Sequence, residues 1–238
     1  MNKFTLIVLF LLFGTFNVSA QMQNLRFGFD FSPTISWMTT NDNQIERNGL
    51  NLGMKIRTLA EFHLLESYSI TSGIGMAINQ GSGLQHKKGG NLLKTTLSDD
   101  QYSNLPDNVR INYHIRYIEI PIGFKMRTNE FGFFRYYFHL PIFTLGIRTR
   151  ATGDIAGTNL DPTTKENFTD VTSLFNLSYG FGMGLEYSLT SSTSMIAGFA
   201  FQQGIADVTD DRGTKNTGKS ENSKGTIGAI EFRVGLLF

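Results

Sequence analysis

The stretch SLFNLSYGFGMGLEY, residues 173–187, alternates bulky apolar side chains with small or polar ones at every second position. Successive side chains of a β-strand point to opposite faces, so this period of two predicts a strand with one apolar and one polar face. The polar face is rich in glycine, ends in Glu186, and needs little space. This combination fits the wall of a narrow β-barrel whose polar face points inward. The apolar face carries Phe175, Leu177, Tyr179, Phe181, Met183, Leu185 and Tyr187.

The same alternation recurs in seven further segments, at residues 25–37, 50–64, 68–79, 111–127, 131–148, 194–203 and 226–238. Short connections at 65–67, 128–130 and 189–193 alternate with long polar ones at 39–49, 80–110, 149–172 and 204–225. Short turns on one side and long loops on the other are typical of outer-membrane barrels. The predicted fold class is therefore all-β: an eight-stranded antiparallel up-and-down transmembrane β-barrel over residues 21–238, with outer-membrane lipid around it and both termini in the periplasm.

A soluble lipocalin-like barrel is the alternative, with its apolar face pointing inward around a cavity. The 21 Phe and 25 Gly of the chain favour the membrane form, because the bulky face needs lipid and the small face fits a narrow interior. The chain ends on Phe238, with Phe232 and Leu236 on the same face of the last strand. A terminal aromatic residue in this setting resembles the recognition signal of the barrel assembly machinery, which is therefore an expected partner during biogenesis.

Residues 1–20 have the anatomy of a secretory signal peptide: Lys3, an apolar run from Phe4 to Phe13, and small residues ending at Ala20. The apolar run is about half the length that a transmembrane helix needs. We expect cleavage after Ala20, export, and residence in the outer membrane.

The composition argues against several other classes of function. Cysteine is absent, which removes thiol catalysis, and a net charge of +1 gives no reason to expect nucleic acid as a partner. His63, His114 and His139 are expected at different depths of the barrel, too far apart for one zinc ion. No set of nucleophile, base and acid is recognisable. We therefore expect no enzymatic activity, no metal and no cofactor.

The face opposite the aromatic residues collects nine basic and five acidic side chains. An eight-stranded barrel has room inside only for side chains, so these charges are expected to pair across the lumen and plug it. An ion or solute pathway, as in a narrow porin-like channel, would need a wider barrel. The predicted luminal network comprises Arg26, Asp30, Lys55, Arg57, Glu61, Arg116, Glu119, Lys125, Arg127, Arg135, Arg148, Glu186, Glu231 and Arg233.

The segment HIRYIEIPIGFKM, residues 114–126, changes phase in its middle. If residues 111–117 place their apolar face toward lipid, Ile118 must take over that face from Tyr117, which predicts a β-bulge at 117–118. The bulge would turn Glu119 inward. The next strand is expected to carry Arg135 and His139 inward before a similar slip near Pro141.

Three stretches resemble the PorT-like outer-membrane β-barrel family of the Bacteroidetes: FHLLESYSITSGIGMAINQGSG (62–83), YIEIPIGFKMRT (117–128) and FGFFRYYFHLPIF (131–143). Glu-Ile-Pro at 119–121 is the most specific element, whereas His139–Pro141 departs from the Gly-Pro pair of many members. The resemblance implies a small outer-membrane barrel. The founding member is associated with the type IX secretion system.

Three functions follow as hypotheses. The first is a non-enzymatic surface or scaffold protein of the cell envelope, which binds a partner through loops 80–110 and 149–172. The second is an accessory component of a type IX-like secretion or transport machine, and the third is a narrow porin-like channel.

Overall fold

The computed structural model describes residues 24–93, 95, 97–209, 213–221 and 223–238, so the predicted signal peptide lies outside the described residues. Strands account for most of this part of the chain, and the helical segments that lie wholly within it are two short 3₁₀ turns, Asp100–Ser103 and Thr169–Val171. Neither is long and apolar enough to cross a membrane.

Eight long strands form the barrel, and they coincide with the eight predicted segments. Each pairs antiparallel with its neighbours in the sequence, and the last pairs with the first, so the ring is closed. Closure leaves the barrel without a free strand edge, as a lipid environment requires. The strands are β1 (Leu25–Thr40), β2 (Asn51–Leu65), β3 (Tyr68–Ser72 and Gly75–Gln80), β4 (Val109–Arg127), β5 (Phe134–Gly157), β6 (Phe175–Ser188), β7 (Ser194–Gly204) and β8 (Gly225–Leu237).

The exterior of the barrel between the short turns and about Trp37 is a continuous apolar band. Large side chains on this face remain about half exposed, Phe29 at 50% and Phe232 at 51%, whereas their neighbours Asp30 and Glu231 are buried. This apolar exterior around a polar interior identifies a transmembrane β-barrel and places the protein in the outer membrane. Other members of the band are Phe27, Phe31, Ile56, Phe62, Ile70, Ile122, Phe143, Tyr179, Phe199 and Val234.

The predicted bulge at 117–118 is wrong, because β4 alternates without interruption. Tyr117 and Ile118 pair with consecutive residues on both neighbouring strands, Ala77 and Met76 on one side and Arg148 and Ile147 on the other. Ile111, Tyr113, Ile115 and Tyr117, expected to face lipid, are buried on the same inward face as Glu119 and Lys125.

At the level of Tyr117 the interior changes from polar to apolar, although the strand β4 continues without a break. Below Tyr117 the barrel is polar inside and meets lipid outside. Above it, β4 and β5 continue into an extracellular head, whose surface meets water, so its apolar side chains turn inward. We define the head as these two extensions with the described residues of the connections 41–50, 81–108, 158–174 and 205–224. Its core contains Met38, Ile45, Leu84, Leu105, Ile111, Tyr113, Ile155, Phe168, Val171 and Val208.

Short strands in the long connections extend the sheet into the head. Gly83–His86 pairs with the upper end of β4 on one side and with Ile45–Arg47 on the other. Leu160–Asn167 folds back along β5, and Gly90–Asn91 pairs with Thr214–Lys215.

Bulges occur on the strands beside β4. On β5 the register shifts between His139 and Ile142, which confirms the predicted slip near Pro141, and again between Arg148 and Arg150. On β3 it shifts between Ala77 and Gln80.

Candidate functional site

The lumen holds two clusters of paired charges at different depths. The upper charge cluster lies next to the head and is built around Lys55 and Arg57, which β2 places two residues apart on its inward face. Lys55 Nζ lies 2.8 Å from carboxylate oxygens of both Glu119 and Glu231. Arg57 contacts Asp30 Oδ1 and Glu231 Oε2, each at 3.0 Å, and Arg233 contacts Glu231 Oε2 at 3.1 Å. Three cations thus face three carboxylates, and the cluster is neutral.

The lower charge cluster lies toward the periplasm and is built around Lys125. Its Nζ donates to Glu61 Oε2 at 2.8 Å and to Glu186 Oε1. Arg127 lies 3.7 Å from Glu61 and 3.6 Å from Glu186, and Arg26 is also 3.6 Å from Glu186. Glu61 and Glu186 are buried. Two carboxylates and three cations leave a local charge of +1.

His139 and Tyr137 connect the two clusters on the inward face of β5. His139 Nε2 is 2.6 Å from Thr71 Oγ1, and its Nδ1 is 3.5 Å from Arg233 Nη1. Lys125 Nζ lies 4.9 Å from the centre of the Tyr137 ring, a cation–π contact. Between the clusters is a cavity of about 40 Å³, which is enough for one or two water molecules and closed to any larger solute.

Most of the predicted luminal charges lie in the two clusters, and three lie elsewhere. Arg135 is at the periplasmic mouth, paired with Glu130 at 2.8 Å. Arg116 was predicted inward and this is wrong: because β4 has no bulge, Arg116 is on the outward face with Asn112 and His114. Arg148, beside the second bulge of β5, donates to the carbonyl groups of Thr169 and Thr172 at the base of the head.

The periplasmic mouth is an open vestibule of about 850 Å³. Charged and hydroxyl side chains line it, among them Arg26, Arg127, Arg135, Glu66 and Glu130. It ends at the lower charge cluster, which closes the way to the extracellular side.

Residues of the two predicted binding loops, 80–110 and 149–172, contact each other in the head. Tyr102 Oη donates to the carbonyl oxygen of Asp161 at 3.0 Å, and the backbone N–H of Ser98 donates to Glu166 Oε2 at 3.0 Å. Tyr102 and Leu105 are buried, so residues 80–110 contribute to the core of the head. Sequence reasoning missed this core because it treated the whole connection as polar loop; Leu84, Leu92, Leu93, Tyr102 and Leu105 were the available signal.

His86, in the same connection, is a further buried residue to which the sequence analysis gave no role. It is 5% exposed and pairs across the sheet with Ile45. Burial, with the nearby Lys215 ammonium as a second cause, lowers the pKa of His86 to about 4. Its imidazole is therefore neutral in the folded head at physiological pH.

The three predicted assembly residues lie on the outward face at the end of the chain. Phe238 is 51% exposed, its N–H donates to the Phe27 carbonyl oxygen at 2.7 Å, and its ring lies 6.1 Å from that of Phe29. Phe232 and Leu236 precede it on the same face of β8. Among the described residues, no group of three histidine or acidic side chains is placed to hold a metal ion.

Comparison with known proteins adds no family. No family model matches the chain, and no curated protein matches it. The likeness to the PorT-like family therefore stays a prediction.

Solved structures of outer-membrane proteins resemble the chain at low identity. Neisserial surface protein A has 9% identity and a TM-score of 0.46, covering 90% of this chain and 95% of that one. Ail of Yersinia pestis, in complex with sucrose octasulfate, has 10% identity and a TM-score of 0.41, with 90% and 99% covered. A major outer membrane protein of Thermus thermophilus has 10% identity and a TM-score of 0.41, with 90% and 98% covered. At these values the likeness carries no functional argument, and the fold rests on the strand pairing described above.

Proposed function

We propose that the protein is a non-conducting, non-enzymatic outer-membrane barrel that holds a binding head at the cell surface. The observation that carries this proposal is that the lumen is closed at two levels. Charged clusters fill the membrane-spanning part, and the apolar core of the head covers its upper end. A solute would have to break buried ion pairs and then cross a packed hydrophobic core, so transport through the barrel is disfavoured.

The head has the properties of a rigid binding surface. Its sheet is continuous with β4 and β5, so it is held at a fixed orientation above the membrane. The contacts of Tyr102 with Asp161 and of Ser98 with Glu166 join the connections 81–108 and 158–174 into one surface. Such preorganisation lowers the entropy cost of binding a partner.

Planar-bilayer recording with the purified full chain tests the closure. We expect no stable conductance at moderate voltage. A reproducible single-channel step that persists in a variant without the head connections would refute the plugged lumen and favour the porin-like alternative.

The vestibule favours a second candidate, the accessory component of a secretion or transport machine, because it offers a polar docking site to a periplasmic partner. A photo-crosslinker placed at exposed Asp100 in the head or at exposed Thr190 in a short turn separates the two candidates in cells. If specific adducts form from position 100 and not from position 190, the surface-binding function is supported. Specific adducts from position 190 only would contradict it in favour of the machine component.

A further inference from the structure

Two arginines face each other on the outside of the barrel, immediately above the lipid band. Arg116 on β4 pairs across the sheet with Arg150 on β5. Their neighbours Ile115, Tyr117 and Ala151 are buried inward, so both guanidinium groups project outward. Like charges on directly opposed residues destabilise a sheet unless an anion lies between them.

Neither arginine is compensated within the described part of the chain. No ion pair reaches either guanidinium there, in contrast to the arginines of the two charge clusters, each of which contacts a carboxylate. A third cation, Lys165, is exposed on the strand that folds back along β5. Asp154, on the same strand as Arg150, contacts His114 Nε2 at 3.0 Å and the backbone N–H of Lys165, also at 3.0 Å.

These side chains border one open pocket of about 240 Å³, lined by Arg116, Arg150, Lys165, His114 and Asn79. At about 30 Å³ for each liquid water, it has room for about eight waters, and hence for a tetrahedral oxyanion. Lys165 has a φ of 61°, and the hydrogen bond from its N–H to Asp154 Oδ1 at 3.0 Å holds this left-handed conformation. The fold therefore holds the backbone of all three cations around the pocket.

The depth of the pocket identifies its occupant. Ile118 and Ile147 form the last outward apolar pair of β4 and β5, and Arg116 with Arg150 is the next outward pair. Two residues along a strand tilted by about 40° correspond to a rise of about 5 Å. The headgroup layer on each side of a bilayer is roughly 5–7 Å thick. The two arginines thus stand at the level of the outer-leaflet headgroups, and Lys165, from the strand above, lines the same pocket.

We propose that Arg116, Arg150 and Lys165 bind a phosphate group of an anionic outer-leaflet lipid. Guanidinium groups bind phosphate through paired, charge-assisted hydrogen bonds, and the acyl chains of the same lipid would lie along Ile118, Ile147 and the apolar band below. The site is independent of what the head binds.

The test uses the full chain in neutral detergent micelles, titrated with lipid A and with the same lipid A after removal of its phosphate groups. Native mass spectrometry gives the bound fraction. The variant R116Q/R150Q is compared with R110Q/K219Q, which removes the same charge from exposed positions in the head, including one on the same face of β4. We expect R116Q/R150Q to raise the apparent Kd for phosphorylated lipid A by about tenfold or more, and the control to leave it unchanged.

Three results would overturn the proposal. The first is equal affinity of the wild-type chain and R116Q/R150Q for phosphorylated lipid A, with both migrating as folded barrels on a gel. The second is an equal loss in the R110Q/K219Q control. The third is binding of inorganic phosphate as tightly as lipid A, which would assign the pocket to a soluble anion.

Discussion

Glu231 is the carboxylate on which the upper charge cluster converges. Its two oxygens contact Lys55, Arg57 and Arg233, and it is completely buried. Glu119, by contrast, contacts Lys55, which keeps Glu231 when Glu119 is removed. The two residues therefore differ in how many cations depend on them.

We predict that Glu231→Gln lowers the free energy of unfolding by about 3–5 kcal/mol, because it removes a carboxylate from three buried cations at once and leaves Arg233 without one. Glu119→Gln should cost clearly less, since Lys55 retains one carboxylate. Glu119→Ala, which also removes a luminal partner of Lys55, should likewise destabilise the barrel. Urea unfolding in micelles, followed by heat-modifiable migration, measures all three. Equal losses in Glu231→Gln and Glu119→Gln would contradict the convergence on Glu231.

His86 makes the stability of the head depend on pH. Its pKa is about 4 in the folded head and about 6.5 when exposed, so between these values the opened head binds a proton that the folded head does not. The stabilisation is complete above about pH 6.5 and is lost as the pH falls toward 4. The difference amounts to about 3 kcal/mol.

We predict that lowering the pH from 7 to 4 opens the head of the wild-type chain and leaves that of His86→Phe closed. Trp37, the only tryptophan, reports this opening, because Arg47 lies 5.6 Å above its ring on the strand that pairs with Gly83–His86. Its fluorescence should change with pH in the wild-type chain. The same change in His86→Phe would assign the transition to another group.

At the scale of single elements, β4 shows how far sequence reasoning reached. The period of two located all eight barrel strands, because it depends only on the alternation of side chains along an extended chain. It also placed Glu119 and Lys125 correctly. It failed for Arg116 and Tyr117, because one rule for inside and outside was applied to the whole strand.

The apolar pair Tyr117–Ile118 is compatible with two structures. In the first, a β-bulge turns both side chains to the lipid. In the second, the strand alternates regularly, and its apolar face changes from outward to inward where it leaves the lipid and enters water. Only the neighbouring strands decide between them, since the pairing of Tyr117 and Ile118 with consecutive partners is a long-range property. The pairing partners within each charge cluster are long-range in the same sense, so the sequence could predict most of the luminal charges and not their division into two clusters.

The outward face of β4 should therefore tolerate a new charge in the head and not in the lipid band. We expect Ile122→Arg to disfavour the folded barrel by about 2–4 kcal/mol, because it places a cation near the middle of the lipid band. Asn112→Arg, on the same outward face but in the head, should change the stability little. The folded fraction in lipid vesicles, read from heat-modifiable migration, compares the two. A large loss for Asn112→Arg would show that the hydrocarbon layer extends to the level of Asn112.

At the scale of the whole molecule, the barrel is complete only when β8 pairs with β1. This seam joins the first and last strands, and Phe238 is its last residue: it exchanges backbone hydrogen bonds with Phe27 and packs its ring against Phe29. Phe238 therefore has two separable contributions, packing at the seam and the terminal aromatic that the sequence predicts as an assembly signal.

The variants Phe238→Ala and Phe29→Ala separate these contributions, because each removes the same ring contact and only the first removes the terminal aromatic. An aromatic pair is worth about 0.5–1.5 kcal/mol, so both purified variants should lose a similar, small amount of stability and refold into lipid vesicles. In cells, we predict that Phe238→Ala is depleted from the outer-membrane fraction while Phe29→Ala accumulates normally. The assembly machinery would then be reading the end of the chain and not the stability of the seam. Equal depletion of both variants would mean the reverse, that assembly depends on how well β1 and β8 pack.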